Sequence, residues 1–223
     1  FKALELFNLR KIENSLSLFK KVAEDEKNSK RSDAMFNLAV IYDNGFGVPV
    51  DKMRALYYYK EASSLSNKYA QYNLGWKYYN GESVNKDVIK AFELYKAAAD
   101  FGHPQAMYNL GNMYYTGTGT VKDLKMAYRT FLLSRMSGIT ESDFFIKEIS
   151  DLLTPEELKY LNDQFASLIE NKIIPVISLV AVLILVLPGF LQTNSKLKIF
   201  LKNLSIWVII IIIVMIFLNL FNN

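Results

Sequence analysis

The chain has no cysteine and a single histidine among its 223 residues. Disulfide frameworks, thiolate metal sites and cysteine nucleophiles are therefore excluded. One imidazole also excludes the two-histidine zinc helix, and the absence of cysteine excludes the Cys-His pair. A cysteine-free chain can live on either side of a membrane, so no redox compartment follows. Charge of one sign is lacking too. Every acidic residue lies before position 173, and beyond it only Lys196, Lys198 and Lys202 are charged. Removing those three leaves 23 basic against 22 acidic residues, so the part before the tail is nearly neutral. The isoelectric point near 9.0 is a property of the tail. A near-neutral body lacks the electrostatic footprint of a nucleic-acid binder. What the chain has in quantity is apolar residues, 51% against 22% charged, enough for a folded core.

Those residues repeat. Ala34, Ala70 and Ala106 are 36 apart, and the interval also links Leu38, Leu74 and Leu110; Tyr42, Tyr78 and Tyr114; and Gly45, Gly81 and Gly117. It continues through Asp51, Asp87 and Asp123; Ala55, Ala91 and Ala127; and Tyr59, Tyr95 and Phe131. Such self-similarity is the signature of a stacked array. Each copy predicts two helices. Ala34, Leu38 and Tyr42 fall at i, i+4 and i+8, one face of a helix. The residue after each Leu is small (Ala39, Gly75, Gly111), which lets a neighbouring helix approach. The glycines at 45, 81 and 117 sit where a left-handed residue stops a helix. The aspartates at 51, 87 and 123 supply N-caps for the second helix. A helix pair cannot bury both faces alone, so the expected fold is all-α, a solenoid of stacked hairpins.

The array occupies residues 33–140. Upstream, Ser15, Phe19 and Val22 copy the second-helix pattern, so residues 1–32 read as a partial repeat and linker. Its first helix would fall in Phe1–Asn8, which implies a chain that starts inside a helix as a fragment or processed product. Downstream, residues 141–172 predict a two-helix cap: a short helix over Glu141–Leu152, then one from Pro155 to Asn171. Thr154, Pro155 and Glu157 form a capping-box start for the second. Residues 173–223 are different. The runs 173–191 and 204–221 carry no charge and, as helices, would each span about 27–28 Å, close to a bilayer core. The expectation is a transmembrane hairpin whose partner is the lipid bilayer. Its basic loop carries Lys196, Lys198 and Lys202 and faces the cytoplasm. That places the repeats outside the cytoplasm, in a periplasm or lumen.

The motif A-x-x-x-L-[AG]-x-x-Y-x-x-G, then V-x-x-D and a K/R-A-x-x-x-Y-x-x-A helix, resembles the Sel-one-like repeat, a relative of the tetratricopeptide repeat. It reads here from Ala34 through Gly45, Gly47 and Val48 to Asp51, Arg54 and Ala55. Ser83 stands where the first copy has Gly47, and Thr120 is inserted where Val48 stands. The resemblance covers about residues 31–138 and implies an adaptor or scaffold for protein assemblies, with no catalytic residues, cofactor or metal. Two further readings follow from it: a subunit resembling the endoplasmic-reticulum quality-control adaptor of a membrane ubiquitin ligase, and a secreted hydrolase, whose relatives are cysteine-rich as this chain is not.

Positions that break the columns are the candidates for contacting a protein or peptide partner on the repeat groove. Trp76 stands against Val40 and Asn112, and Lys77 against Ile41 and Met113. Tyr79 and Tyr115 stand against Asp43. Asn37, Asn73 and Asn109 are polar beside the core Leu and form a candidate ladder for peptide backbone. Exposed Trp and Tyr are the residue types that dominate protein contacts. His103, before Pro104, reads as a helix cap. The Gly45-Phe-Gly47 and Gly117-Thr-Gly119 turns lack the strand and lysine of a phosphate loop.

Overall fold

A computed structural model describes residues 14–170. Among them are α1 (14–24), α2 (Arg31–Asn44), α3 (Lys52–Ser64), α4 (Lys68–Asn80), α5 (Val88–Asp100), α6 (Pro104–Thr116), α7 (Leu124–Met136), α8 (Ser142–Ser150) and α9 (155–170), with no strand. The expected first helix at 1–8 and both apolar runs lie outside the described residues. Within them, no helix is long and apolar enough to cross a membrane. One compact unit ends at Leu161, and α9 continues into a second unit as helix to residue 170.

Helices α2 to α8 pack in sequence, each on the next, so each repeat is a helix pair and the array is a solenoid. The column residues are the core. Leu38, Ala55, Ala62, Ala70, Ala91, Ala98, Ala106, Ala127 and Phe131 have essentially no exposed surface. Burying a large apolar side chain of this kind contributes about 1.5–3 kcal/mol. Leu16, Phe19 and Val22 of the upstream half-repeat pack against the same core. Asp51, Asp87 and Asp123 each accept a backbone N–H inside the first turn of α3, α5 and α7. Helices α2, α4 and α6 stop at Gly45, Gly81 and Gly117 with φ of 72°, 77° and 76°. That backbone region is costly for a residue with a Cβ.

The small residue after the core Leu is explained by close approach. A Cβ on Gly111 would lie 2.9 Å from the Phe131 ring, and one on Gly75 would lie 3.1 Å from the Tyr95 ring. The Thr154 capping box forms as expected: its N–H donates to Glu157 Oε2 at 3.1 Å, and the Glu157 N–H donates to Thr154 Oγ1 at 3.3 Å. One element exceeds the expectation. Helix α8 continues the 36-residue register as the first helix of a fourth unit. Ser142, Ile146 and Ser150 stand in the columns of Ala106, Leu110 and Tyr114.

Candidate functional site

Three junctions join the first helices of successive units: α2 to α4, α4 to α6, and α6 to α8. Each is built from the same columns, displaced by 36 residues, yet side chains meet along a shorter diagonal. Asp43 reaches Lys77 and Tyr115 reaches Glu148, 34 and 33 residues on.

At the first junction the meeting is ionic. Lys77 is 2% exposed, and its Nζ lies 3.0 Å from Asp43 and 2.9 Å from Glu82. Lys52 closes the network at 2.8 Å from Asp43 and 3.5 Å from Glu82. Burial pushes the Asp43 carboxyl up, but hydrogen bonds and charge from Lys52 and Lys77 outweigh it, and the carboxyl ends below its ordinary range. The hydrogen bond from Lys77 likewise lowers Glu82, and the Asp43 carboxylate raises Lys52. The Lys77 ammonium also lies 5.6 Å from the Tyr59 ring. Four charges are mutually satisfied there, which leaves no free acid or base.

At the third junction the meeting is aromatic. Phe145 stacks on Phe131 with centroids 4.7 Å apart and planes 3° from parallel. It also presents an edge contact to Tyr115 at 5.6 Å, whose hydroxyl donates to Glu148 at 2.7 Å.

At the second junction neither filling exists. Tyr79 replaces Asp43, Met113 replaces Lys77, Thr118 replaces Glu82, and Asn109 stands in the column of Phe145. A cleft of about 360 Å³ remains, lined by Trp76, Tyr79, Asn80, Tyr95, Asn109, Asn112, Met113, Thr116 and Thr118. Trp76 is 43% exposed and Tyr79 36% exposed, while Met113 is buried. No lining residue carries a charge. The Asn80 and Asn112 amides donate back to the carbonyls of Trp76 at 2.9 Å and Tyr108 at 3.2 Å. Their Oδ1 atoms accept nothing among the described residues. Asn109 is engaged by the hydroxyls of Tyr72 and Tyr95, both pushed up by burial. Such a lining binds by stacking and neutral hydrogen bonds. It offers no nucleophile or general base.

Four of the residues expected to contact a partner, Trp76, Tyr79, Asn109 and Asn112, are brought together by this cleft. Lys77 is a correction: it breaks its column because it is a buried ion-pair partner, and it has no surface to offer. Tyr115 stays half-exposed, its hydroxyl donated to Glu148 and its ring edge against Phe145, and it does not line the cleft. The asparagines form no uniform ladder. Asn37 donates to the Asp33 carbonyl of its own helix at 2.8 Å, and half-buried Asn73 stands in the matching column at the ionic junction. Asn80, Met113, Thr116 and Thr118 line the cleft without having been singled out in the sequence. His103 is the α6 cap, its Nδ1 accepting the Ala106 N–H at 3.2 Å while its ring stacks 4.4 Å from Tyr72. Among the described residues no group of His, Cys, Asp or Glu could hold a metal ion.

The Sel1 repeat model matches residues 32–67, 68–103 and 104–129. A Sel1 repeat protein from Oxalobacter formigenes of known structure is 31% identical, with a TM-score of 0.56 over 60% of this chain and 97% of its own. Protein c5321, a protective antigen of uropathogenic Escherichia coli strains that displays an SLR fold, is 30% identical with a TM-score of 0.51. The likeness spans 56% of this chain but only 26% of that longer protein. Nothing among curated proteins matches.

Proposed function

The chain belongs to the Sel1 repeat family, whose members act as protein-interaction scaffolds and are generally not enzymes, and from that premise we propose that it is a membrane-anchored adaptor that holds a partner protein at the second junction. The observation that carries this reading is the cleft itself. Here the repeat columns leave open space, and exposed Trp76 and Tyr79 stand at its edge. Concentrated aromatic area beside unengaged amide oxygens is the composition of a protein contact. The test is a photoreactive residue at exposed Asn80, with Lys96 on α5 as control. A defined adduct from position 80 and none from 96 supports the adaptor. No adduct from 80 in cells that express the chain overturns it.

The anchor rests on the two uncharged runs at 173–191 and 204–221, each of bilayer-spanning length. Their loop carries three lysines, against Lys159 and Lys172 in the twenty residues before the first run. By the positive-inside bias this puts the loop in the cytoplasm and the repeats in a periplasm or lumen. Cysteines placed singly at Ser195 and Ser66 in this cysteine-free chain report the orientation. In intact cells an impermeant maleimide is expected to label position 66 and spare 195. The reverse pattern inverts the topology. Extraction of the full chain by carbonate removes the anchor.

A further inference from the structure

We propose that the cleft at the second junction is a receptor for one aromatic side chain of the partner, presented on extended peptide backbone; this rests on the adaptor reading and specifies its chemistry. The argument is internal to the repeat. The same columns frame each junction, and at two of them a side chain from the neighbouring first helix lies over the ring of the Tyr59 and Phe131 column. At the first junction the filling is the Lys77 ammonium over the Tyr59 ring, held by Asp43 and Glu82. At the third it is the Phe145 ring, stacked on Phe131. Tyr95 stands in the column of Tyr59 and Phe131; at the second junction the Lys77 column holds buried Met113 and the Phe145 column holds the shorter Asn109, and a cleft stays open among Tyr95, Asn109 and Met113.

The lining decides between the two kinds of filler. An ammonium needs the carboxylates of the first junction, and those columns hold Tyr79 and Thr118 here. A bare cation in this neutral cleft would lose hydration without repayment. An aromatic ring needs what the cleft has: the Trp76 and Tyr79 rings at its edge and the Met113 thioether, a favourable neighbour for an aromatic ring. Backbone recognition comes from Oδ1 of Asn112, whose amide N–H is already donated to the Tyr108 carbonyl; it is an acceptor and so calls for an N–H donor. A peptide carries both features in one segment.

The probes are three blocked tripeptides, acetyl-Ala-Phe-Ala-amide and its Leu and Lys counterparts, added to the full chain with ¹³C-methyl methionine. A ring laid against Met113 moves its methyl resonance upfield, which neither aliphatic nor amine side chains can do. The expected result is an upfield shift with the Phe peptide, affinity about two- to tenfold above the Leu peptide, and loss of the shift in Trp76→Ala. Equal binding of the Leu or Lys peptide overturns the aromatic key, as does no Met113 shift with Phe. A Met113 shift that depends on protein concentration without peptide identifies a second copy as occupant and also overturns it. The two readings fail separately. An adduct from position 80 with no Phe-peptide response removes the key and keeps the adaptor. A Phe-specific Met113 shift with no cellular adduct keeps the receptor chemistry and removes the adaptor.

Discussion

The first and second junctions are made from the same columns and do opposite things with them. Between α2 and α4 the space holds four charges in contact; between α4 and α6 it holds none and stays open. The difference turns on three substitutions between copies: Asp43 against Tyr79, Lys77 against Met113, and Glu82 against Thr118. A buried ion pair is weak evidence of added stability, because desolvation offsets attraction. Its directional partners do specify which helix faces which. The first junction therefore uses its column to join two repeats, and the second leaves a neutral cleft open beside its own.

The comparison breaks most visibly at Lys77. Lys77→Ala empties a buried site and leaves Lys52 as the one counter-charge of Asp43 and Glu82 among the described residues, so a loss of about 1–3 kcal/mol for each of the two deleted bonds is expected in denaturant unfolding. Asp43→Tyr combined with Lys77→Met writes the two buried substitutions of the second junction into the first and leaves the more exposed Glu82 paired with Lys52. That pair is expected to cost far less than Lys77→Ala alone, since apolar replacement of a whole buried ion pair is often neutral. A double variant as unstable as the single one would show that the network does more than satisfy itself.

The second junction separates core from contact surface within one helix. Leu74 is 4% exposed and Trp76 43% exposed. Leu74→Ala is expected to lower stability by about 2–5 kcal/mol. Trp76→Ala is expected to cost less than about 1 kcal/mol while abolishing adduct formation from position 80. Equal losses with capture intact would make Trp76 a packing residue.

Much of this was legible in the columns. Alternation of Ala, Leu and Tyr gave the paired helices, because burial on a helix face leaves a period that survives copying. The caps at Asp51, Asp87 and Asp123 were legible because an N-cap is a local chemical requirement. The junctions were not, because side chains meet along a diagonal of 33 or 34 residues while columns are compared at 36. Asp43 and Lys77 each break a column, and only the diagonal makes them partners. Trp76 and Tyr79 were found as column breakers on exposed positions; Lys77 and Tyr115 satisfied the same test and lie outside the cleft. Helix α8 itself was expected, but its register as the start of a fourth unit escaped because Ser142 and Ser150 disguise the Ala and Tyr columns.

Ser142 sharpens the comparison at the third junction. It stands in an otherwise alanine column with no exposed surface, and its Oγ has no hydrogen-bond partner. Ser142→Ala removes an unsatisfied hydroxyl and restores the column. A gain of about 1 kcal/mol in unfolding free energy is expected. A loss would mean that the hydroxyl is satisfied in solution.

The smallest expected effect is a difference in pH response between the first two junctions. Burial, and then the charge of Lys68, hold the His103 imidazole below its ordinary value of 6.5. The unfolded chain therefore takes up this proton first, so the contribution is present above pH 6.5 and is lost as pH falls through the window beneath it. Protonated Nδ1 cannot accept the Ala106 N–H, and a lost cap costs about 0.5–2 kcal/mol. Asp43 and Glu82 lie below their ordinary values of 3.8 and 4.5, so the ionic junction keeps its contribution down to that range and loses it only below. Acidification from pH 7.5 to 5.5 is thus expected to lower the protection factor, meaning exchange relative to the unfolded chain's intrinsic rate at the same pH, at the start of α6 while that of α4 against α2 is unchanged. His103→Asn copies the cap of α4, where Asn67 accepts the Ala70 N–H at 3.0 Å, and should abolish the response between pH 7.5 and 5.5. A response that survives His103→Asn would assign the titration to another group and leave His103 a cap without a switch.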